Sequence, residues 1–332
     1  MTGWPAGQAV FVETAARLHL GVLDLRGARG RWFGGLGAAA PGPSLRVSAS
    51  PAGALCAEGP DADRAVEFAA RFLAHHRIRG GARLQVHAAL PRHAGLGSGT
   101  QLALAVARAL AELHGVQADA PALARAVGRA RRSAIGTWTF AGGGLVVEGG
   151  RVPDRDACGP LIARLPFPPS WRCVVAVPDA AAGVSGPEEA EAFDRLPPPS
   201  ERDVERVAHL VLLSLLPALA EADIAAFGAT LTRIQEVTGQ WFAPIQGGMF
   251  APGPSETLVR RMAEWGASGV GQSSWGPTVY GLVPDGDAAS RLADRVRALL
   301  AGGGAVYEGA FPGGGARVWL GRRDDPTNEP DR

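Results

Sequence analysis

The fold of this chain is decided by one stretch, Leu90-Pro91-Arg92-His93-Ala94-Gly95-Leu96-Gly97-Ser98-Gly99-Thr100-Gln101. A strand-like run over 82–90 precedes it, and an amphipathic helical run over 102–114 follows it. Ser98 is placed to cap that helix. The free N–H groups of such a turn converge with the positive end of a helix dipole, which favours binding of an anion such as phosphate.

A simpler interpretation of this stretch is a capped helix start that binds nothing. The spacing differs from the Walker sequence G-x-x-x-x-G-K-S/T. A Walker lysine is also excluded, because all 33 basic residues of the chain are arginine. On glycine content alone, both interpretations stay open.

Composition limits the class of protein. A chain of 332 residues favours two moderate domains that share a cleft, and its net charge of +1 gives no sign of a nucleic-acid partner. Cys56, Cys158 and Cys173 are too few and too widely spaced for a disulfide framework or a metal site, which indicates a reduced, cytoplasmic setting. No signal peptide is apparent, and the most apolar run, 208–220, is too short to span a membrane.

Hydrophobic periodicity predicts two halves joined by a proline-rich linker over 153–170. In the first half we expect strands over 8–25, from 45, over 82–89 and over 145–148, and a loop over 27–37. Helices are expected there over 63–78, from Ser98, and over 121–132. In the second half the pattern predicts the order β-α-α-α-β-β-α-β of an α+β sandwich, with its second helix over 217–237.

Three further segments have residues suited to anion chemistry. The segment 269–280 has glycines and hydroxyls between two apolar strands, although a plain hairpin loop explains it equally. The segment 16–31 combines Asp24 with several arginines and could hold a magnesium–pyrophosphate group, or be a solvated loop. The segment 129–144 is either an exposed helix end or a basic, aromatic-lined wall for a planar acid.

Taken together, the segments 16–21, 91–101 and 273–282 resemble the GHMP kinase superfamily. The second matches its phosphate loop Pro-x-x-x-Gly-Leu-Gly-Ser-Ser, with Gly99 in place of the second serine, and the third is similar to its C-terminal glycine motif. The resemblance implies a two-domain α+β fold. It comprises an N-terminal α/β sandwich with the phosphate loop over 1–165, a ferredoxin-like C-terminal sandwich over 170–322, and a disordered tail over 323–332.

Longer strings resemble one branch of the superfamily, the β-ribofuranosylaminobenzene 5′-phosphate synthases. They are 16–25, 30–35, 93–104, 132–136 with 143–144, 246–248 and 271–278. The resemblance implies a pentosyltransferase of methanopterin biosynthesis that condenses phosphoribosyl pyrophosphate with 4-aminobenzoate and releases carbon dioxide and pyrophosphate. The alternatives are an ATP-dependent small-molecule kinase, disfavoured because 133–144 contains no carboxylate, and a non-catalytic phosphate-binding protein.

The residues and the resemblance together give a set of predicted site residues. The predicted catalytic residues are Asp24, Arg31 and His19. Asp24 would bind Mg²⁺ or ribose hydroxyls, and Arg31, with Arg26 as a second candidate, would bind the pyrophosphate. His19 and Arg17 would either orient the first loop or simply pack. The predicted substrate-binding residues are Arg17, Arg26, His93, Gly95, Leu96, Gly97, Ser98, Gly99, Thr100, Gln101, Arg132, Gln272, Ser273, Ser274 and Gly276. Arg132 is the candidate for the benzoate carboxylate. We further expect a cytoplasmic homodimer that needs Mg²⁺ and binds neither nucleic acid nor membrane.

Overall fold

A computed structural model describes residues 7–153, 155, 157–180, 183 and 186–323 of the chain. The predicted disordered tail over 323–332 lies outside the described residues except for Arg323. Within the described part, two sheets are each covered by helices, as the α+β prediction requires. No helix in that part is long and apolar enough to cross a bilayer.

The first sheet has seven strands, most of them antiparallel. Its central path runs in the order β11-β1-β2-β4-β3, and β5 and β6 extend from β2. The strands are β1 (Gln8–Asp24), β2 (Phe33–Ala52), β3 (Cys56–Glu58), β4 (Gly81–Ala88), β5 (Leu145–Glu148), β6 (Leu161–Leu165) and β11 (Arg317–Arg322). Since β6 pairs with β5, the segment predicted as a linker over 153–170 partly belongs to this sheet.

The strand β2 corrects the prediction of a loop over 27–37 and a strand from 45, because it already begins at Phe33. Its glycines are required by close packing rather than by a turn. A Cβ on Gly35 would lie 3.0 Å from the Gly21 carbonyl oxygen, and one on Gly37 would lie 2.6 Å from that of Leu18. Glycine in a strand therefore marks close backbone approach here.

Four helices cover the first sheet. They are α1 (Ala62–His75), α2 (Ser98–His114), α3 (Ala120–Ala126) and α4 (Ile135–Gly142). The helix α2 is buried on almost every face and forms the centre of this core. The helix predicted over 121–132 is wrong in its second half, because α3 ends at Ala126 and Gly128 has a φ of +71°.

The second sheet is antiparallel, in the order β10-β7-β9-β8. Its strands are β7 (Arg172–Pro178), β8 (Gly269–Gln272), β9 (Val279–Val283) and β10 (Gly304–Gly309). The helices of this half are α5 (Gly186–Arg195), α6 (Glu201–Leu210), α7 (Leu216–Ala220), α8 (Ile224–Gln246), α9 (Pro254–Glu264) and α10 (Gly286–Leu300), with a π-helical turn, Val211–Leu215, between α6 and α7.

One helix of the second half differs from its prediction over 217–237. The observed chain breaks after α7 because the Asp223 side chain accepts a hydrogen bond from the N–H of Ala226, which starts α8 anew. The helix α8 then continues to Gln246, past Pro244. This length matters because the last turns of α8 supply part of the wall of the candidate site described below.

Among the contacts between the two halves is the one that the phosphate loop makes with the turn between β8 and β9. The Ser273 hydroxyl donates a hydrogen bond of 2.6 Å to the Gly95 carbonyl, and the N–H of Thr278 donates to the Ala94 carbonyl at 3.3 Å. A Cβ on Gly95 would overlap the Ser273 carbonyl oxygen. Glycine is therefore required at 95 both by space and by its φ of +77°.

We predict that Gly95→Ala lowers the free energy of unfolding by at least about 3 kcal/mol, because a left-handed backbone strain of about 1–2 kcal/mol adds to the overlap. Gly115→Ala is the matched control, since Gly115 has a φ of +68° and no atom lies within 4 Å of the position that its Cβ would take. That control should lose only the backbone strain. Denaturant unfolding of both variants checks the difference, and equal losses would contradict the docking role of Gly95.

Candidate active site

The phosphate loop starts α2 differently from its prediction. Gly97, with a φ of +73°, occupies the N-cap position, and Ser98 is the first helical residue with no capping hydrogen bond from its side chain. The Gly97 carbonyl instead accepts hydrogen bonds from the N–H groups of Thr100 and Gln101, both at 3.0 Å. The hydroxyl of Ser98 is thereby left available to line the cleft above the helix.

Two guanidinium groups lie directly over Gly99. A Cβ at this position would be 2.8 Å from a terminal nitrogen of Arg64 and 2.9 Å from one of Arg129. A serine here, as in the superfamily loop, would displace one of them. Gly99 therefore makes room for two positive charges at the helix start, where the helix dipole also favours an anion.

Arg129 has an electrostatic environment that favours a bound anion. Burial first, and then the neighbouring charges of Arg64 and Arg71, lower the pKa of Arg129 to about 10. Its Nε atom is buried without a hydrogen-bond partner. The group stays charged at neutral pH, and an anion in the cleft would relieve the repulsion among these arginines.

Arg17 connects β1 to the phosphate loop. Its guanidinium donates a hydrogen bond to the Gly95 carbonyl, and its backbone N–H donates to the Leu96 carbonyl at 3.1 Å. Burial lowers the pKa of Arg17 to about 10, so it remains a cation at neutral pH. The predicted residue Arg17 thus both supports the loop and faces the site.

Two adjoining cavities make up the candidate site. A cleft of about 240 Å³ lies on the phosphate loop and is lined by Arg17, Arg64, Arg129 and the loop residues 93–100, and by Ser274 and Gly276. A central cavity of about 270 Å³ lies beside it. We call them the phosphate cleft and the central cavity. Their linings share Arg17, Thr100, Arg129, Glu189, Ser274 and Trp275.

Aromatic rings form one wall of the central cavity. Phe193 packs edge-on against Phe33, Phe242 and Trp275, at centroid distances of 5.4, 5.9 and 5.7 Å. The Arg132 guanidinium lies 5.6 Å from the Phe193 ring centroid. The arginines of the segment 129–144 line this cavity as its prediction requires, but the aromatic residues of that segment, Trp138 and Phe140, do not, and the rings come from other segments. The wall as observed suits a planar acid.

His19 contributes a neutral imidazole to the central cavity. Burial, and secondarily the charge of Arg17, lower the pKa of His19 to about 3. Its backbone N–H donates to the Ser273 hydroxyl at 2.9 Å, which connects β1 with the turn of the other half. His19 can therefore orient a ligand by hydrogen bonding, but it carries no charge near neutral pH.

Three glutamines of the central cavity are engaged with one another. Gln235 accepts from the N–H of Gln272 at 2.9 Å and donates to the Leu20 carbonyl. Gln272 donates to the Gln246 side chain at 2.9 Å. The predicted substrate-binding residue Gln272 therefore supports the cavity wall through this network.

Gln101 lies away from both cavities. Its side chain is fully buried, accepts a hydrogen bond from the Thr14 hydroxyl at 2.8 Å and donates to the Gly136 carbonyl at 3.0 Å. It connects α2 with β1 and α4. Substrate contact by Gln101 stays a prediction, but the contacts present are structural.

Asp24, Arg26 and Arg31 also lie outside the linings of the two cavities. One oxygen of Asp24 accepts hydrogen bonds from the backbone N–H groups of Arg26 and Gly27, at 2.6 and 3.0 Å. Arg31 donates to the Gly149 carbonyl at 2.7 Å and to that of Gly150 at 3.1 Å. These contacts order the loop between β1 and β2, and the catalytic roles assigned to Asp24 and Arg31 stay predictions.

Sequence reasoning missed two charged residues of the site, Arg64 and Glu189, and also the rings of Phe193 and Phe242 in the cavity wall. Arg64 and Glu189 lie on the helices α1 and α5, where charged residues ordinarily face solvent. Glu189 forms an ion pair of 3.1 Å with Arg132, and it brings α5 over the central cavity. The sequence signal for α5 was its acidic first turn, which complements the helix dipole.

Comparison with known proteins agrees with this geometry. Residues 63–143 match the GHMP kinases N terminal domain, and residues 215–302 match the GHMP kinases C terminal domain. A homoserine kinase from Cytophaga hutchinsonii superposes with a TM-score of 0.69 over 96% of this chain and 100% of that chain, at 17% identity. A 4-(cytidine 5′-diphospho)-2C-methyl-D-erythritol kinase gives 0.61 over 92% and 100%, at 24% identity. The fold is therefore that of the GHMP kinases.

Sequence relatives define the family more narrowly. The chain is 35% identical to the beta-ribofuranosylphenol 5′-phosphate synthase of Methanothermobacter thermautotrophicus, over 89% of this chain and 96% of that protein. It is 36% identical to the synthase of the same name from Archaeoglobus fulgidus, over 82% and 87%. The chain belongs to the β-ribofuranosylphenol 5′-phosphate synthase family, and it is an enzyme of the pentosyltransferase type.

A buried carboxyl group supports the wall of the central cavity from behind. Glu148 accepts hydrogen bonds from the N–H groups of Gly150 at 2.7 Å and Ala134 at 3.3 Å, and so fixes the start of α4. Burial raises the pKa of Glu148 to about 7, against the opposing effect of those two hydrogen bonds. Its protonation is therefore linked to folding.

We predict that this linkage is measurable by comparison with Glu148→Gln. Between pH 4.5 and 7 the folded protein holds a proton on Glu148 that the unfolded chain has lost. The stabilisation from Glu148 is thus complete below pH 4.5 and is lost as the pH rises through 7. The free energy of unfolding of the wild type, minus that of the variant, should fall by up to about 1.4 kcal/mol per pH unit in this window. A constant difference from pH 5 to 8 would refute the raised pKa.

Proposed function

We propose that this enzyme condenses 5-phosphoribosyl 1-pyrophosphate with 4-aminobenzoate to give β-ribofuranosylaminobenzene 5′-phosphate, carbon dioxide and pyrophosphate, a step of tetrahydromethanopterin biosynthesis. The observation that carries the proposal is the pair of adjoining cavities. The phosphate cleft has three arginines around a helix start, and the central cavity has an aromatic wall with Arg132. The first suits an anionic phosphoribosyl donor and the second a planar aromatic acid.

The proposed reaction follows from that arrangement. Arg17, Arg64 and Arg129, with the loop residues 95–100, would hold phosphate groups of the donor and stabilise the departing pyrophosphate. The anomeric carbon then develops oxocarbenium character at the junction of the two cavities. The ring carbon that bears the carboxylate attacks it, and loss of carbon dioxide restores aromaticity. Little acid–base catalysis is needed, which accords with the uncharged state of His19.

In the proposed reaction, Mg²⁺ binds together with phosphoribosyl pyrophosphate. No group of three or more possible metal ligands occurs among the described His, Cys, Asp and Glu residues, so the protein alone does not form a cage for Mg²⁺. Such ions usually bind one or two carboxylates together with phosphate oxygens. When bound to the pyrophosphate, Mg²⁺ would neutralise its negative charge. Asp24 stays the proposed protein ligand from the first loop.

The aromatic acceptor can carry an amino or a hydroxyl group in the para position, and the relatives are named for a phenol product. That name favours 4-hydroxybenzoate as an alternative acceptor. Both acids are planar, and both release electrons toward the attacked carbon. The proposal of a cytoplasmic homodimer accompanies either acceptor.

We predict that the purified protein, with Mg²⁺ and phosphoribosyl pyrophosphate, releases labelled carbon dioxide from carboxyl-labelled 4-aminobenzoate. Release must depend on both substrates. Carboxyl-labelled 4-hydroxybenzoate is tested in parallel, and faster release from it would correct the acceptor while keeping the reaction. No release from either acid, together with phosphate transfer from ATP to an alcohol, would overturn the proposed function.

Asp24 can be tested by two substitutions that separate charge from loop structure. Asp24→Ala should abolish turnover in either role, since it loses both the charge and the hydrogen-bond acceptor. Asp24→Asn keeps an oxygen acceptor for the two N–H groups, so it should lose at least about 100-fold in kcat if the charge binds Mg²⁺. A near-normal rate in Asp24→Asn would show that Asp24 only orders the loop.

A further inference from the structure

Glu189 differs from the other residues of the candidate site in its charge and position. Among the residues that the structure describes, it is the only acidic residue that lines either cavity, and it lines both. It therefore lies at their junction, beside Arg17, Thr100 and Ser274. About a quarter of its side chain is exposed, 26%, so the carboxylate is reachable from the cavities.

We propose that Glu189 is a catalytic residue whose carboxylate stabilises the positive charge that develops on the ribosyl ring. This inference rests on the proposed function, because that function places the anomeric carbon between the phosphate cleft and the central cavity. A carboxylate beside an oxocarbenium-like centre lowers its energy, as it does in glycoside hydrolysis. The other charged groups that line both cavities, Arg17 and Arg129, are positive and suit the phosphates instead.

The electron balance of the reaction requires no proton transfer, so the proposed role of the Glu189 carboxylate is electrostatic. The bond between the anomeric carbon and pyrophosphate breaks, and its electron pair leaves with the pyrophosphate. A π-electron pair of the aromatic ring forms the new carbon–carbon bond. The bond to the carboxylate then breaks and returns its pair to the ring, with carbon dioxide as the product. No proton is gained or lost in these steps, so the reaction needs no proton transfer to or from Glu189.

Two neighbouring arginines interact with the Glu189 carboxylate and hold it in place. The Arg132 guanidinium lies 3.1 Å from its carboxylate, and the charge of Glu189 partly offsets the effect of burial on the pKa of Arg17. Arg132 also lies against the ring of Phe193, which follows Glu189 by about one turn of α5. The ion pair therefore fixes both the carboxylate and the aromatic wall.

Binding of two matched inhibitors tests the proposal without turnover. A 1,4-imino-ribitol 5-phosphate carries a positive ring nitrogen, and 1,4-anhydro-ribitol 5-phosphate has a neutral ring oxygen in its place. With pyrophosphate present, the wild type should bind the cation at least about 10-fold more tightly. Glu189→Gln should lose that preference and retain its affinity for the neutral compound. Glu191→Gln, an exposed neighbour on the same helix, should behave as the wild type.

Turnover gives a second readout. Glu189→Gln should lower kcat about 100-fold with little change in the KM for phosphoribosyl pyrophosphate, and Glu189→Asp should recover part of the loss. An unchanged cation preference and kcat in Glu189→Gln, with an active wild type, would overturn the role of Glu189. Loss of affinity for both inhibitors alike would assign Glu189 a structural role through Arg132 and also overturn it. An inactive wild type would instead refute the proposed function.

Discussion

The site depends on one carbonyl group. The Gly95 oxygen accepts hydrogen bonds from the Arg17 guanidinium and the Ser273 hydroxyl, and so joins β1, the phosphate loop and the second half of the chain. The same Ser273 hydroxyl accepts the His19 N–H. Because Gly95 has no Cβ, its backbone can lie against the Ser273 carbonyl, and this close approach brings the phosphate cleft next to the central cavity.

Many helices and strands could be predicted from the sequence, because their local hydrophobic pattern matches the face that each element buries in the folded protein. The helix after the phosphate loop, the alternating strand β4 and the strands β7 to β10 follow from periodicity. The order predicted for the second half was incomplete, because it lacked α5, the break between α7 and α8, and the last strand, β11. The glycine-rich start of β2 could not be predicted from the sequence, because Gly35 and Gly37 are required by the close approach of the β1 backbone and not by a turn. The helix α4 was also missed, since its start depends on the distant carboxyl of Glu148.

The site shows the same division between local and distant determinants. The loop residues 93–100 and Arg17, which line the phosphate cleft, were predicted as site residues from the types and order of the residues in their segments. Arg64 and Glu189 are ordinary helix residues in the sequence, and the fold alone brings them to the cavities. Asp24 was predicted to be a Mg²⁺ ligand from its place next to arginines and glycines. An aspartate in such a segment also accepts hydrogen bonds from the backbone N–H groups that follow it, as Asp24 does from Arg26 and Gly27.

The strand β11 has a consequence for how the molecule unfolds. It returns from the second half to pair with β1, so that Gln8 lies opposite Arg322 at the edge of the first sheet. The residues between β6 and β11 are thereby tied to the first sheet at both ends, like an insertion. Separating the two halves would break the contact at Gly95 and expose a hydrophobic core that contains side chains of both, among them Leu20 and Ile234. Melting of the two sheets should therefore be coupled into one cooperative transition.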